Sequence, residues 1–248
     1  MNKYIFYIIS ILVLLVKMNL EEISYIYHSN FHEKQTSQFL DNYCSNNPID
    51  WVLDAGAYLG DTCIPLALKH QKVNILAIEP DIKNCQFIKK KCKLHGINNI
   101  TILSNGLSNL NDQYIYTDFR NLFPQKIYKL TNQERKNSIK TKTIDYFHKM
   151  YNINLIHLDV ESFEYQVLQG AKNIIKDRKC TFIIEILFKN RDKDSIINTF
   201  KSEGYSIYYI PEYVCFPYVP CGYNYIFAPV NTNFLQRCTI TKSIIKLF

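Results

Sequence analysis

The chain has 248 residues and a mass of 29.3 kDa, a size that fits one α/β domain. Its 7 Gly and 8 Pro exclude a collagen-like or low-complexity chain, and its 8 Cys lack the spacing of a zinc site, so we expect no metal. The net charge of +7 indicates a lysine-rich solvated surface, and without a nucleic-acid motif beside the basic clusters we expect no nucleic-acid partner.

The chain begins with a hydrophobic segment, residues 1–20, whose apolar part runs from Tyr4 to Val16 between Lys3 and Lys17. This part is shorter than the ~20 residues that cross a bilayer, and no small-x-small cleavage site follows it. Three interpretations stay open: an uncleaved membrane anchor, a signal peptide, or a hydrophobic helix packed on the domain. The localisation, cytoplasmic or membrane-associated, stays open with them.

The first half of the chain alternates helices and strands. An amphipathic helix is predicted at 33–44, with Phe39, Leu40 and Tyr43 facing inward. Strands are then predicted at 51–54, 74–79 and 99–103, with helices at 61–70 and 81–95 between them. Asp81 is a suitable N-cap for the last of these helices and Gly96 a suitable end.

The second half continues this alternation after an insertion. Residues 107–139 lack a helical period, and we predict a short hairpin near Tyr114–Tyr116 within irregular chain. Further strands are predicted at 140–144, 154–161 and 181–186, and helices at 145–151, 163–176 and 192–203. The last strands, 205–210 and 223–227, are expected to form an antiparallel edge. This order predicts a doubly wound, mostly parallel sheet with helices on both faces.

The most informative motif is the run DAGAYLG, residues 54–60, at the end of the first strand. Gly56 and Gly60 allow a tight turn that brings the backbone close to a ligand, with Ala57 between them. Asp54 opens the turn, where a carboxylate repels a pyrophosphate but suits a ligand with an ammonium and a sulfonium group. The third glycine of a dinucleotide fingerprint is missing, so S-adenosylmethionine is favoured over NAD.

Two further residues complete the predicted cofactor site. Glu79 ends the second strand, one strand–helix–strand unit after the glycine turn, where an acidic residue binds ribose hydroxyls. Asn105 follows the third strand at the same edge of the sheet. Ligands of such sheets gather at the carboxyl ends of the strands, so we assign both residues to cofactor binding.

Candidate catalytic residues come from the strand predicted at 154–161. Alternation along this strand places His157 and Asp159 on one side, and Glu161 follows at the strand–helix junction. Asp159 is either a helix-capping carboxylate or a residue acting on the methyl acceptor. His157 is either a buried, hydrogen-bonded histidine or a base that titrates near neutral pH.

Residues 159–171 read DVESFEYQVLQGA and resemble the DVEGxExxVLxGA signature of the FkbM family of S-adenosylmethionine-dependent methyltransferases. Residues 54–60 look like the cofactor motif of that family, Glu79 and Pro80 like its ribose motif, and residues 143–145 like its TLD element. Two positions depart from the pattern, because Ser162 stands where the family usually has Gly and His157 where Lys is common.

The resemblance implies a Rossmann-like class I methyltransferase with a seven-stranded sheet, over residues 31–229, followed by a tail at 230–248. It implies methylation of an oxygen, on a hydroxyl of a sugar or another small metabolite, with Asp159, His157 and Glu161 as catalytic candidates and Glu185 shaping the site. The alternative is a non-catalytic module of the same fold, which binds a ligand or partner at a membrane.

Overall fold

The computed structural model describes residues 34–117, 128–135, 138–187, 190–213, 220–230 and 245–246. The first elements are a helix α1 followed by three strands and two helices in strict alternation. Their bounds are α1 Lys34–Asn46, β1 Trp51–Ala55, α2 Cys63–Lys69, β2 Asn74–Ile78, α3 Ile82–His95 and β3 Ile100–Leu103. Each predicted element of this half is confirmed to within two residues at either end.

The ends of α3 show why the sequence predicts this half well. Asp81 accepts a hydrogen bond from Lys83 N, and Gly96 ends the helix in the left-handed region at φ +64°. In α1, Phe39, Leu40 and Tyr43 are buried as predicted. Pro65 lies in the first turn of α2, where its missing N–H leaves no helical hydrogen bond unmade.

The insertion forms a small sheet of its own. Its strands, in the order β4-β7-β5-β6, are β4 Gly106–Leu107, β5 Tyr114–Thr117, β6 Tyr128–Thr131 and β7 Ile139–Lys142. Strands β5 and β6 pair antiparallel, so the predicted hairpin is confirmed. The strand predicted at 140–144 is confirmed as β7, whereas its parallel partner β4 was not predicted.

The second half returns to the main sheet. Its elements are α4 Ile144–His148, β8 Ile153–Leu158, α5 Glu164–Leu168, α6 Lys172–Asp177, β9 Thr181–Glu185, α7 Lys193–Ser202, β10 Tyr205–Tyr213, β11 Pro220–Pro229 and β12 Ile245–Lys246. Strand β8 ends at Leu158, three residues earlier than predicted, so Asp159 and Glu161 lie in the turn beyond it.

The single helix predicted at 163–176 is wrong, since α5 and α6 are separate helices. The break lies at Gly170, whose backbone packs so closely on the insertion that an added Cβ would lie 2.3 Å from the Ser108 carbonyl oxygen. Asp145 N donates to the Gly170 carbonyl there, so this group bonds outside the helix. Tertiary contact, which helical periodicity does not report, therefore divides the helix.

The strands of the main sheet follow the order β12-β10-β11-β9-β8-β1-β2-β3. Strands β3, β2, β1, β8 and β9 are parallel, whereas β11 is antiparallel to both β9 and β10. The predicted seven-stranded, mostly parallel sheet and its antiparallel edge are confirmed. The two-residue β12, within the predicted tail, pairs with β10 as an eighth strand.

Two apolar clusters cover the two faces of this sheet, so the prediction of helices on both faces is confirmed. One contains Phe39 of α1, Ile64 of α2 and Ile88 of α3. The other contains side chains of α4 to α7, among them Phe147 and Phe200. Because β1 lies between β2 and β8, the chain direction of the crossovers reverses there, which opens a crevice at the carboxyl ends of β1 and β8.

The hydrophobic segment predicted at 1–20 lies outside the described residues. Within the described ranges, each helix falls short of the length and apolar character that crossing a bilayer requires.

Candidate active site

The turn after β1 is built on its two glycines. Gly56 N and Ala57 N both donate to the Ile78 carbonyl at the end of β2, at 3.0 and 3.2 Å. Gly56 has φ +88°, and an added Cβ would lie 1.7 Å from the Asp159 carbonyl oxygen. Gly60 also has a positive φ and donates to the Ala57 carbonyl at 2.7 Å. The glycine turn therefore packs directly on the turn that follows β8.

Asp54 and His157 meet beneath these two turns. They occupy opposed positions of the neighbouring strands β1 and β8, and the Asp54 Oδ1 and His157 Nδ1 atoms are 2.8 Å apart. Both residues are buried, with exposed fractions of 1% and 3%. The structure thus supports the interpretation of His157 as a buried, hydrogen-bonded histidine, and its catalytic role stays a prediction.

Asp54 also belongs to a cluster of three carboxyl groups, together with Asp159 and Asp61. Asp54 Oδ2 and Asp159 Oδ1 are buried, and neither accepts a hydrogen bond from an N–H or O–H group of the described residues. Asp61 is the third member. Burial and the charge of the nearby Asp54 raise its pKa to about 7. Sequence reasoning missed Asp61, although its place directly after Gly60 puts it in the same turn. Buried acceptors without donors indicate a site for a cation or a donor-bearing ligand.

Glu79 lies directly beyond β2 and is 4% exposed. Its Oε2 accepts from Tyr58 N at 2.9 Å, and its Oε1 accepts from Asp81 N at 2.8 Å and Asn84 Nδ2 at 3.2 Å. The carboxylate thus ties the glycine turn to the start of α3. The role of Glu79 in binding ribose hydroxyls stays a prediction.

Replacing Glu79 by Ala is expected to weaken S-adenosylmethionine binding by about 2 kcal/mol or more, because a charge-assisted hydrogen bond is lost. Isothermal titration calorimetry measures the change. Asn84→Ala is the matched control, since it loosens the same loop while keeping the carboxylate. An unchanged affinity in folded Glu79→Ala would disprove the ribose assignment, and an equal loss in Asn84→Ala would show that Glu79 acts only through the loop.

Asn105 lies between β3 and β4 and faces the small sheet, where its Nδ2 donates to the Lys140 carbonyl at 3.2 Å. The described hydrogen bonds do not join it to the other predicted site residues. Glu185 ends β9 opposite Asn224 of β11. The cofactor role of Asn105 and the shaping role of Glu185 stay predictions.

The turn after β8 carries two consecutive side-chain residues in the left-handed region. Glu161 has φ +54° and Ser162 has φ +71°, and both side chains are exposed. Residues other than glycine are strained in this conformation, by roughly 1–2 kcal/mol each. Ser162 stands where the resembled FkbM signature has Gly, and its φ is one that glycine adopts without strain.

Ser162→Gly is therefore expected to stabilise the fold by about 0.5–1 kcal/mol, because glycine adopts this φ without steric strain. Ser162→Val should destabilise it instead, since a β-branched side chain is the least tolerated there. Thermal unfolding of the two variants measures the difference. If both variants melt at the wild-type temperature, the turn is not strained at this position.

Glu164 anchors the same turn from within the protein. It is 1% exposed, its Oε1 accepts from Ser162 N at 2.9 Å, and its Oε2 accepts from Asn190 Nδ2 at 2.9 Å. Burial, with Asp159 nearby, raises its pKa to about 7. Sequence reasoning did not assign Glu164 to the site, although it is the second glutamate of the resembled signature.

The raised pKa values of Asp61 and Glu164 predict how stability depends on pH. Their ordinary values are 3.8 and 4.5, so between about pH 4 and 7 the folded chain holds protons that the unfolded chain has released. The free energy of unfolding is therefore expected to fall as pH rises through this range. Thermal melts at several pH values should show a shallower dependence in Glu164→Gln and in Asp61→Asn. Profiles parallel to wild type would contradict the assignment.

Comparison with known proteins identifies this arrangement. A sequence profile described as the methyltransferase FkbM domain matches residues 54–207, which include both turns and the strands between them. The chain belongs to the FkbM methyltransferase family. Comparison with curated proteins gave no match.

The fold is also found in a solved structure. The FkbM methyltransferase of Methylobacillus flagellatus KT is 17% identical, with a TM-score of 0.51, and the match covers 85% of this chain and 55% of that protein. This chain therefore spans about half of that protein. A further match is the S-adenosylmethionine-dependent O-methyltransferase of Thermotoga maritima, which is 12% identical with a TM-score of 0.47. That match covers 80% of this chain and 66% of the Thermotoga protein.

The predicted cofactor of this FkbM domain, S-adenosylmethionine, is confirmed by its family. The site fits it, because the buried Asp54 Oδ2, which accepts no hydrogen bond from the described N–H and O–H groups, suits a cationic ligand. Residues 143–145, which resemble the TLD element of the family, have structural roles in this chain. Thr143 caps α4 by accepting from Tyr146 N, and Asp145 accepts from Asn173 N and Ile174 N at the start of α6.

Proposed function

We propose that this chain transfers a methyl group from S-adenosylmethionine to a hydroxyl oxygen of a sugar or another small hydroxylated molecule. The observation that carries the proposal is Asp159. Its buried Oδ1 accepts no hydrogen bond from the described N–H and O–H groups, and its backbone touches the glycine turn that the cofactor motif forms. A carboxylate beside the cofactor turn can accept the proton of an attacking hydroxyl.

The cofactor, when bound, supplies an electrophilic methyl group. Asp54, held by His157, attracts the cationic amino-acid end of the ligand, and Asp61 adds to the negative potential of the same turn. Glu79 accepts a hydrogen bond from Tyr58 N and so fixes the glycine turn, and in this proposal it also binds the ribose hydroxyls. Alignment of this kind supplies several kcal/mol of a bimolecular barrier.

Asp159 acts on the acceptor by orienting its hydroxyl and taking its proton. The buried Glu164 stabilises the turn that carries Asp159. Its carboxylate accepts hydrogen bonds from Ser162 N in that turn and from Asn190 Nδ2 in the loop after β9. These bonds connect the loops after β8 and β9. The acceptor is expected to bind between these loops, with Glu161 at its exposed rim.

A methyl-transfer screen tests the proposal. The full-length chain is incubated with methyl-labelled S-adenosylmethionine and panels of sugars, glycolipids and small hydroxylated metabolites, and transfer is read by mass spectrometry. Transfer to a hydroxyl that Asp159→Asn abolishes would support the proposal. Binding of S-adenosylmethionine without transfer to any panel member would instead favour the non-catalytic module. Transfer only to nitrogen or carbon acceptors would show that the oxygen assignment is wrong.

A further inference from the structure

The buried pair formed by His157 and Asp54 contains two ionisable groups in direct contact. An imidazole normally changes its charge close to neutral pH. In this chain the imidazole contacts Asp54 Oδ1 at 2.8 Å, and Asp54 Oδ2 is a buried acceptor without an N–H or O–H donor among the described residues. The state of the imidazole therefore sets how much negative charge Asp54 presents.

We propose that His157 is a positioning residue that sets the charge of Asp54 toward the cationic end of S-adenosylmethionine, so that cofactor binding displaces a proton from the imidazole. The inference rests on the proposed cofactor site and adds a proton to its binding equilibrium. A protonated imidazole neutralises Asp54 and repels a second cation, whereas a neutral imidazole leaves the carboxylate charged. Cofactor affinity then rises with pH.

Other titratable groups lie near the pair. One is Asp61, from the turn before α2, whose pKa is raised to about 7 by burial and by the charge of Asp54. Another is Asp159, from the turn after β8, which also interacts with Asp61. The Cys63 thiol of α2 also lies near Asp54, but burial raises its pKa well above its ordinary value, so it stays neutral. Asp61 therefore contributes part of any pH dependence near neutrality, and the test must separate its share from that of His157.

The burial of the pair explains why the coupling should be measurable. Both side chains are almost fully enclosed, with exposed fractions of 4% and 2%, so solvent screens their interaction weakly. A ligand cation that reaches Asp54 Oδ2 competes with the imidazolium for one carboxylate. If this competition shifts the pKa of the imidazole by about one unit, the affinity for the cofactor changes about tenfold across the titration.

The experiment is isothermal titration of the full-length chain with S-adenosylmethionine at several values from about pH 5.5 to about pH 8. The wild-type affinity is expected to be about five- to tenfold lower at the acidic end. His157→Gln keeps a polar side chain but removes the group that titrates. The change in cofactor affinity across this pH range should therefore shrink to about twofold in this variant, which is the part that Asp61 contributes. Asp61→Asn, the matched control, should keep most of the wild-type change. His157→Lys should follow the shallow profile of His157→Gln.

A second measurement does not depend on any variant. Wild-type titrations near neutral pH in buffers of different ionisation enthalpy are expected to show that protons are released when the cofactor binds. Binding with no proton release, or a His157→Gln profile that superimposes on wild type, would overturn the inference while leaving the proposed cofactor site intact. Failure of S-adenosylmethionine to bind at every pH would overturn both.

Discussion

Gly56→Ala is expected to abolish measurable S-adenosylmethionine binding while leaving a helical, folded chain. The new Cβ would lie 1.7 Å from the Asp159 carbonyl oxygen, a backbone atom that cannot rotate away as a flexible side chain can. One of the two turns must therefore move, and both turns carry proposed cofactor or acceptor contacts. The positive φ of +88° adds strain that alanine does not tolerate well. Ligand-induced thermal stabilisation measures the loss, with circular dichroism to confirm the fold.

Gly96→Ala is the matched control for this substitution. Gly96 also has a positive φ, +64°, but an added Cβ would meet no atom within 4 Å. This variant should therefore lose about 1 kcal/mol of stability from backbone strain alone and bind cofactor normally. If Gly56→Ala still shows ligand-induced stabilisation equal to that of Gly96→Ala, the cofactor lies elsewhere.

Asp159→Asn is expected to reduce the rate of methyl transfer about 100-fold or more while changing cofactor affinity little. The substitution keeps the size of the side chain and its contact with the glycine turn, which is made by the backbone. It removes the negative charge and the proton acceptor. A group that acts on the hydroxyl in the transition state lowers kcat more than it weakens cofactor binding. Steady-state kinetics on an acceptor found by the screen, with calorimetry for the cofactor, separate the two effects.

Glu161→Gln tests the neighbouring carboxylate in the same turn. Glu161 is exposed at the turn, and its variant should retain most of the wild-type rate if Asp159 is the base. A wild-type rate in Asp159→Asn together with a large loss in Glu161→Gln would transfer the catalytic assignment to Glu161. Wild-type rates in both variants would leave Asp159 as a purely structural residue of the β8 turn.

Local sequence predicts the elements of the first half because their signals are short-range. Asp81 and Gly96 determine the ends of α3 by hydrogen bonds and backbone angles within a few residues. The glycines of residues 54–60 predict the turn for the same reason, since a positive φ is a property of single residues. The order of strands and helices then limits the sheet to a doubly wound arrangement.

The sequence by itself therefore determined the fold class, the family and the cofactor, together with the positions of Asp54, Gly56, Glu79 and Asp159 at strand ends. Only the tertiary structure decided what these residues contact. His157 contacts Asp54 because the register of β1 and β8 places the two residues opposite each other. Asp61 and Glu164 also lie at the site, although sequence reasoning did not assign them to it. The tertiary structure also divided the predicted helix at Gly170. Register, burial and backbone contact join residues that are distant in the chain, and a single sequence carries little local signal for them.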